Sequence, residues 1–266
     1  MRSLIEAAYL SRVAGNAIVF FVFFINLLPR KLGSKFRIRR IPKLKMNIHG
    51  ATYFVNTWDG LLVVRPSHEP AVHRVLKNEA EQTTGGLFVN VGAHIGRYCF
   101  EFAKYFDKTV AFEPTKSTFA LLEEGWRLHP RKDSIFLMNK GLSDSCGSAT
   151  LLVSQDESKN SIVASEDCPT EGYEAITLST LDHDLPDAEK SQLRLLLVDV
   201  EGAEESVLRG ADETLRTGSP VIVIELLNET VRARCDAFLT ALGYSGKQLD
   251  RTNWEYRKTA GLAETA

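Results

Sequence analysis

The sequence predicts a doubly wound α/β fold around a mostly parallel sheet. Three observations predict it: short apolar runs, helical stripes between them, and a glycine turn directly after the first run. The runs are "LFVNV" (87 to 91), "TVAFE" (109 to 113), "SIFLM" (134 to 138), "LRLLLVDV" (193 to 200) and "VIVIELL" (221 to 227). Runs apolar on both faces suit strands covered by helices on both sides. Ile95, Cys99, Phe102, Ala103 and Phe106 mark one helix; Phe119, Leu121 and Leu122 begin a second; Val207, Leu208, Ala211 and Leu215 make a third. That alternation predicts right-handed crossovers between parallel strands.

The 266 residues, 44% hydrophobic and 25% charged, suffice for one sizeable core with an appendage. Residues 1 to 45 read as that appendage. "AIVFFVFFINLL" (17 to 28) is apolar except for Asn26, but falls short of the ~20 residues a helix needs to span a bilayer. Pro29, Arg30 and Lys31 come next, where a secretory signal wants small residues, so cleavage is not expected. Residues 30 to 45 carry eight basic side chains and no acidic one. Such a run attracts anionic lipid and keeps the downstream domain on the cytoplasmic side, so residues 13 to 45 are expected to attach the protein to that face of a membrane. The alternative is a helix packed on the domain with a solvated basic run.

From Met46 to Thr84 the sequence reads as a β-hairpin and a helix. β-Branched and aromatic residues alternate around Asp59-Gly60, a hairpin signal. "EPAVHRVLKNEAE" then has helix chemistry, with Pro70 early and Ala71, Val75 and Leu76 at helical spacing. His68 and His73 read as surface residues, since no carboxylate or cysteine is spaced to share a metal with them. The main domain runs from Gly85 to Lys258, leaving a tail of 259 to 266. Between Asn139 and Gln192, "SATLLV" and "EAITLSTLD" read as additional antiparallel strands, and "GYSGKQLDRTNWEYRK" as a closing hairpin.

Charge excludes one class of partner. From Met46 onward there are 22 basic against 33 acidic side chains, a net of −11, which gives nucleic acid little to bind. Cys99, Cys146, Cys168 and Cys235 show no C-x-x-C spacing, which fits neither a zinc site nor a disulfide framework, so a reducing compartment is expected.

Ligands of such sheets sit over the carboxyl ends of the strands. Gly92 and Gly96 directly follow the first strand. A dinucleotide turn, G-x-G-x-x-G, would need glycine where His94 stands, which weakens a pyrophosphate reading. Glu113, ending the second strand, sits where an acid accepts hydrogen bonds from ribose hydroxyls. A nucleoside with a small, non-polyanionic remainder suits this pair, and S-adenosylmethionine fits. The alternative is that both glycines only permit tight packing and Glu113 is a solvated strand end. Asp199, closing an apolar strand in "LLLVDVEGAEE", needs a partner to offset desolvation, as at the mouth of a site. Glu204 and Glu205 can be explained as helix first-turn acids.

Taken together, "FVNVGAHIGRYCFEFAK", "AFEPTKSTFALL", "NKGLSD" with "GSATLLV" and "KNSIVAS", "ITLSTLD", "LLLVDVEGAEESVLRGADETL" and "PVIVIEL" resemble the FkbM-type S-adenosylmethionine-dependent methyltransferases. The resemblance spans about Gly85 to Lys258. It implies a class I methyltransferase fold, seven strands with an antiparallel last strand, and O-methylation of hydroxyl groups on sugars or secondary metabolites. It implies that Gly92 and Gly96 line the methionine part of the cofactor and Glu113 the ribose, with Ser143 and Asp144 near adenine. Family members often carry Asp where this chain has Asn90 and Asn where it has His94; Asn90 still hydrogen-bonds but supplies no charge.

In-line methyl transfer from a sulfonium demands alignment, and a hydroxyl acceptor gains from a general base. Asp199 is the first candidate, then Glu201 and Glu225; His94 is a rival that the turn places at the cofactor's methionine end. Asp199, Glu201 and Glu225 would suit magnesium, but strand-end carboxylates are more often hydrogen-bonded, and no metal is assigned. The expected acceptor is a glycan, glycolipid or lipo-oligosaccharide sugar such as a deoxyhexose, with a polyketide or other secondary metabolite as alternative. A nicotinamide-dependent oxidoreductase and a membrane-tethered, noncatalytic binding module are the other classes. Acceptor contacts are expected from loops such as Ser154 to Ser161.

Overall fold

A computed structural model describes residues 8–10, 12, 40–82, 85–154 and 170–259. The apolar run 17 to 28, most of the basic run and the loop after Ser154 lie outside the described residues. Among the described residues no helix is long and apolar enough to cross a membrane.

Seven strands form the central sheet: β3 (Leu87–Val91), β4 (Lys108–Phe112), β5 (Ile135–Met138), β9 (Leu193–Val198), β10 (Val221–Glu225), β11 (Tyr244–Gln248) and β12 (Asn253–Lys258). Their order is β11-β12-β10-β9-β3-β4-β5. Val91 stands opposite Phe112 on one side and Val198 on the other, all in parallel register. β12 is inserted antiparallel to both β10 and β11. This is the class I methyltransferase sheet that the sequence led us to expect, and its strand order reverses between β3 and β9, where a ligand crevice opens.

Alternation along the strands sorts the core. Val89, Val91, Val110, Phe112, Leu196 and Val198 face one side, where they pack on Val207, Leu208 and Leu215. Phe88, Leu195, Leu197 and Val223 face the other, against Val72, Leu76 and Phe102. The helices supplying these partners are α2 (Pro70–Gln82), α3 (Arg97–Phe102), α7 (Glu204–Arg209) and α8 (Asp212–Thr217). Truncating a fully buried ring such as Phe112 to alanine costs about 3–5 kcal/mol.

The hairpin exists, but its turn differs from the one expected. β1 (Arg40–Ile48) pairs antiparallel with β2 (Ala51–Thr57) through His49-Gly50, both with positive φ. A two-residue connection with both residues left-handed matches the twist of the flanking strands. Asp59-Gly60 instead lies in a helix, α1 (Trp58–Val63), because the Thr57 side chain caps it by accepting from the Gly60 N–H at 3.1 Å. β1 also takes in the end of the basic run, where Lys43 pairs with Glu124 at 2.9 Å. The hairpin packs its inner face, Met46, Tyr53 and Val55, on Phe100, Leu121 and Leu122, tying it to α3 and to α4 (Lys116–Arg127).

A small sheet covers the sequence between β5 and β9. It consists of β6 (Gly141–Leu142), β7 (Gly147–Ser154) and β8 (Thr170–Ser179) in the order β6-β8-β7. The antiparallel β7–β8 pair answers to the two additional strands read from the sequence. Two short helices, α5 (Leu181–Asp184) and α6 (Asp187–Lys190), lead from β8 back to β9.

Candidate active site

A cavity of about 550 Å³ opens at the carboxyl ends of β3, β4, β9 and β10. Asn90, Gly92, His94, Glu113, Asp199, Glu201 and Glu225 all line it. Topology brings together residues up to 135 positions apart because each closes a neighbouring strand or begins the loop after it.

Gly92 is required by its neighbour strand. Its φ is +82°, and a Cβ there would overlap the carbonyl oxygen of Asp199 and approach the carbonyl carbon to 2.9 Å. Meanwhile the Asp199 N–H donates to the Val91 carbonyl at 3.0 Å. The ends of β3 and β9 are thus interlocked at the cavity floor. Gly96 does not line the cavity. A Cβ there would meet Leu122 Cδ1 at 2.6 Å and the Phe100 ring at 2.8 Å, so only glycine fits where α3 and α4 meet this turn.

Glu113 holds the glycine loop. Its Oε2 accepts from the His94 N–H at 3.0 Å and its Oε1 from the Thr115 N–H at 2.9 Å. Burial pushes its pKa up, offset by His94 and these donors. An ionised carboxylate has about four lone-pair sites, so two remain for a ligand. Asn90, 2% exposed, donates to Cys99 Sγ at 3.3 Å, and its Oδ1 accepts no hydrogen bond among the described residues. Thr118, also buried in this wall, likewise has a hydroxyl without a partner among them. Buried polar atoms are seldom left unsatisfied unless something else satisfies them.

Ser143 and Asp144 follow the lining residues Gly141 and Leu142 but do not themselves line the cavity. The Ser143 N–H donates to the Ser179 carbonyl at 2.8 Å, and its own carbonyl presses on Gly210 so closely that no Cβ would fit there. The serine is fixed in the small sheet, and the Asp144 carboxylate accepts from the hydroxyls of Ser143 and Ser145. The apolar slot beyond Glu113 is made instead by Phe112, Leu142, Leu151 and Ile176.

The opposite wall is acidic. Asp199, Glu201 and Glu225 present oxygens that all lie within 4.8 Å of one another. Thr252 Oγ1 donates to Glu225 Oε1 at 3.0 Å. Burial first, then the carboxylates of Glu225, Glu69 and Glu201, hold Asp199 well above the ordinary carboxylate range, and it is hydrogen-bonded to Glu225. Glu204 and Glu205 take no part: Glu204 Oε1 accepts from the Gly202 N–H at 2.8 Å and Glu205 pairs with Arg209, as helix-start chemistry predicts.

Sequence reasoning missed Glu69, His68 and Tyr98. Glu69 Oε2 accepts from Tyr98 Oη at 2.8 Å, with His68 Nε2 at 3.4 Å, and all three line the cavity. His68 is therefore no surface residue; burial, then Arg65 and Arg97, push it down to about 3, so it stays neutral. The signal available was Pro70, which biases the preceding residue toward extended backbone. Glu69 instead has φ +40°. Among the described residues the non-glycine positions with positive φ are His49, Glu69, His94 and Glu201. Three of the four ring this cavity, where strained backbone gathers at functional sites.

The reversed strand order, the antiparallel β12 and a cavity with a glycine floor and an acid-ended second strand together define the class I methyltransferase fold. Residues 90–245 match the "Methyltransferase FkbM domain". The chain belongs to that family. The methyltransferase FkbM of Methylobacillus flagellatus KT is similar at 13% identity and a TM-score of 0.49, over 96% of this chain and 59% of that one. This chain thus spans less than two thirds of that relative. M. jannaschii TYW2, solved with AdoMet, is similar at 10% identity and TM-score 0.43 over 83% and 88% of the two chains. Magnesium protoporphyrin IX methyltransferase of Synechocystis PCC 6803, solved with SAM, is similar at 9% and 0.44 over 72% and 80%. No curated protein matches the chain.

Proposed function

We propose that the protein is an O-methyltransferase whose acceptor is a neutral, polyhydroxylated compound, foremost a sugar hydroxyl of a glycan, glycolipid or lipo-oligosaccharide. The observation that carries this is the convergence of Glu69, Asp199, Glu201 and Glu225 on one wall of the cavity. Carboxylates accept hydrogen bonds from hydroxyls, and several side by side repel phosphate or carboxylate acceptors. Nucleic acid fits such a wall poorly.

The residues present fit the donor. Asn90 Oδ1 and the floor at Gly92 suit its amino-acid end, the remaining lone pairs of Glu113 suit ribose hydroxyls, and the slot around Leu142 suits an apolar ring. S-adenosylmethionine supplies an electrophilic methyl on a sulfonium, which nearby carboxylates stabilise. Asp199, once it has passed its proton to Glu225 or solvent, takes the proton from the acceptor hydroxyl as the new bond forms. Glu225, braced by Thr252, sets the orientation of Asp199. Asp199, Glu201 and Glu225 would suit a magnesium ion, with oxygen ligands throughout.

The apolar run 17 to 28 and the adjoining basic run support attachment to an anionic bilayer surface, where a lipid-linked acceptor would be met. Incubation with methyl-labelled S-adenosylmethionine and a panel of neutral sugars, anionic sugars and macrolide hydroxyls, with and without chelator, tests the reading. Label on neutral glycans is the expected result. Transfer confined to anionic acceptors, or to nitrogen or carbon, overturns it.

A further inference from the structure

Outside the cavity lies a second group of ligating side chains. His49 Nδ1 is 2.7 Å from Glu101 Oε1, and His73 Nε2 is 2.9 Å from the same oxygen. The three ligand atoms lie within 4.8 Å of one another. They come from three separate elements: the β1–β2 turn, α2 and α3. His73 has a carboxylate partner after all, because the fold, not the local sequence, delivers one.

We propose that His49, His73 and Glu101 form a binding site for a borderline divalent transition ion, of the Zn²⁺ class, that clamps the hairpin to the two helices flanking the active site. Two imidazoles and one carboxylate are a nitrogen-rich set that magnesium and calcium do not favour and zinc does. Zinc–ligand bonds of ~2.0–2.2 Å require ligand atoms ~3.3 Å apart in a tetrahedron. The two histidine–carboxylate separations need open by only a few tenths of an ångström, and the two imidazole nitrogens already lie within 4.8 Å of each other. With tautomers whose lone pairs face inward, the ion replaces the two imidazole protons that otherwise rest on Oε1.

The surroundings suit an ion. Arg97 Nη1 donates to the other carboxylate oxygen, Oε2, fixing the orientation of Glu101, as outer partners of metal ligands do; the same nitrogen stands 3.5 Å from His49 Nδ1 and must lean wholly toward Oε2 when that atom binds an ion. The His73 ring is steadied against Phe102, with centroids 5.5 Å apart. A hollow of about 400 Å³ adjoins the group, leaving room for a water as fourth ligand. Its two lysines are otherwise engaged: Lys77 near Glu81 at 3.8 Å, and Lys104 over the Tyr105 ring at 4.8 Å.

The experiment is titration of the metal-free full chain with Zn²⁺ by calorimetry and by thermal melting, comparing wild type with His73→Ala, His49→Asn and Asp199→Asn. Asparagine tolerates the left-handed backbone at position 49, so that variant keeps the fold even if alanine at 73 loosens α2. One tight zinc per chain is expected, weakened on the order of 100-fold by either histidine change, with a Zn²⁺-dependent rise in melting temperature that disappears with it. Asp199→Asn should leave that event intact, and S-adenosylmethionine affinity should survive in both histidine variants. Equal zinc affinity in wild type and His49→Asn, loss only in Asp199→Asn, or no uptake at large excess overturns the proposal without touching the methyltransferase reading.

Discussion

Replacing Gly92 with alanine tests the interlock of β3 and β9, and Gly50 provides a matched control. Both glycines have φ +82°, so both alanines incur the same left-handed backbone cost of roughly 1–2 kcal/mol. They differ in space. Nothing lies within 4 Å of a Cβ at Gly50, whereas at Gly92 the Asp199 carbonyl carbon is at 2.9 Å and its oxygen is nearer. Carbon atoms sit comfortably at about 3.5–4.0 Å, so one strand end must retreat by more than half an ångström, roughly, and overpacking of this kind costs about 1–3 kcal/mol more. Gly92→Ala should therefore lose about 2–5 kcal/mol in urea melts and Gly50→Ala about 1–2. Because the group pushed back carries Asp199, a displacement approaching ~1 Å should also lower kcat/KM on the order of 100-fold. Equal stability of the two variants, with Gly92→Ala retaining donor affinity by calorimetry and full turnover, would refute the interlock.

Asp199→Asn should reduce kcat about 10²–10⁴-fold if this side chain is the base. In the wild type, the acidic limb of kcat/KM against pH should lie above the ordinary carboxylate range, because burial and Glu225 hold Asp199 up; a limb near ~4 speaks against it. A group raised on folding stabilises fully below its unfolded pKa and loses that contribution as pH rises through its folded one. The melting temperature of Asp199→Asn should accordingly gain on wild type with rising pH, and a gap independent of pH would count against the raised value. Glu113→Gln keeps one acceptor for two backbone donors, so it should cost roughly 1.5–3 kcal/mol in denaturant melts, with weaker S-adenosylmethionine binding in calorimetry. Asp144→Asn should leave donor affinity unchanged, since its carboxylate stands outside the cavity; a marked loss would restore the adenine role implied by resemblance.

The sheet was legible because its signal is local. "LFVNV" is apolar at four of its five positions and becomes β3 end to end, and Pro70 begins α2 as read. The carboxyl-end cluster was legible for the same reason, since Glu113, Asp199 and Glu225 each close or follow a recognisable strand. What escaped depends on distance. Glu69 and His68 reach the cavity only because α2 packs over the face of the sheet that carries Leu195 and Leu197, and no periodicity in "SHEPAVH" records that. Asp59-Gly60 misled because a turn dipeptide and a capped helix start share small polar chemistry, and the Thr57 cap decided between them. Ser143 was carried over by resemblance, and only the contact of its carbonyl with Gly210 reveals its packing role.

The side-chain-bearing residues with positive φ around the pocket, Glu69, His94 and Glu201, mark a tension between endurance and readiness. Glycine at any of them would relax the chain and raise its heat resistance, yet each hands its backbone tension to a side chain held ready for a ligand. An engineer seeking a sturdier enzyme would find easy gains here and forfeit the pocket's rigidity in taking them.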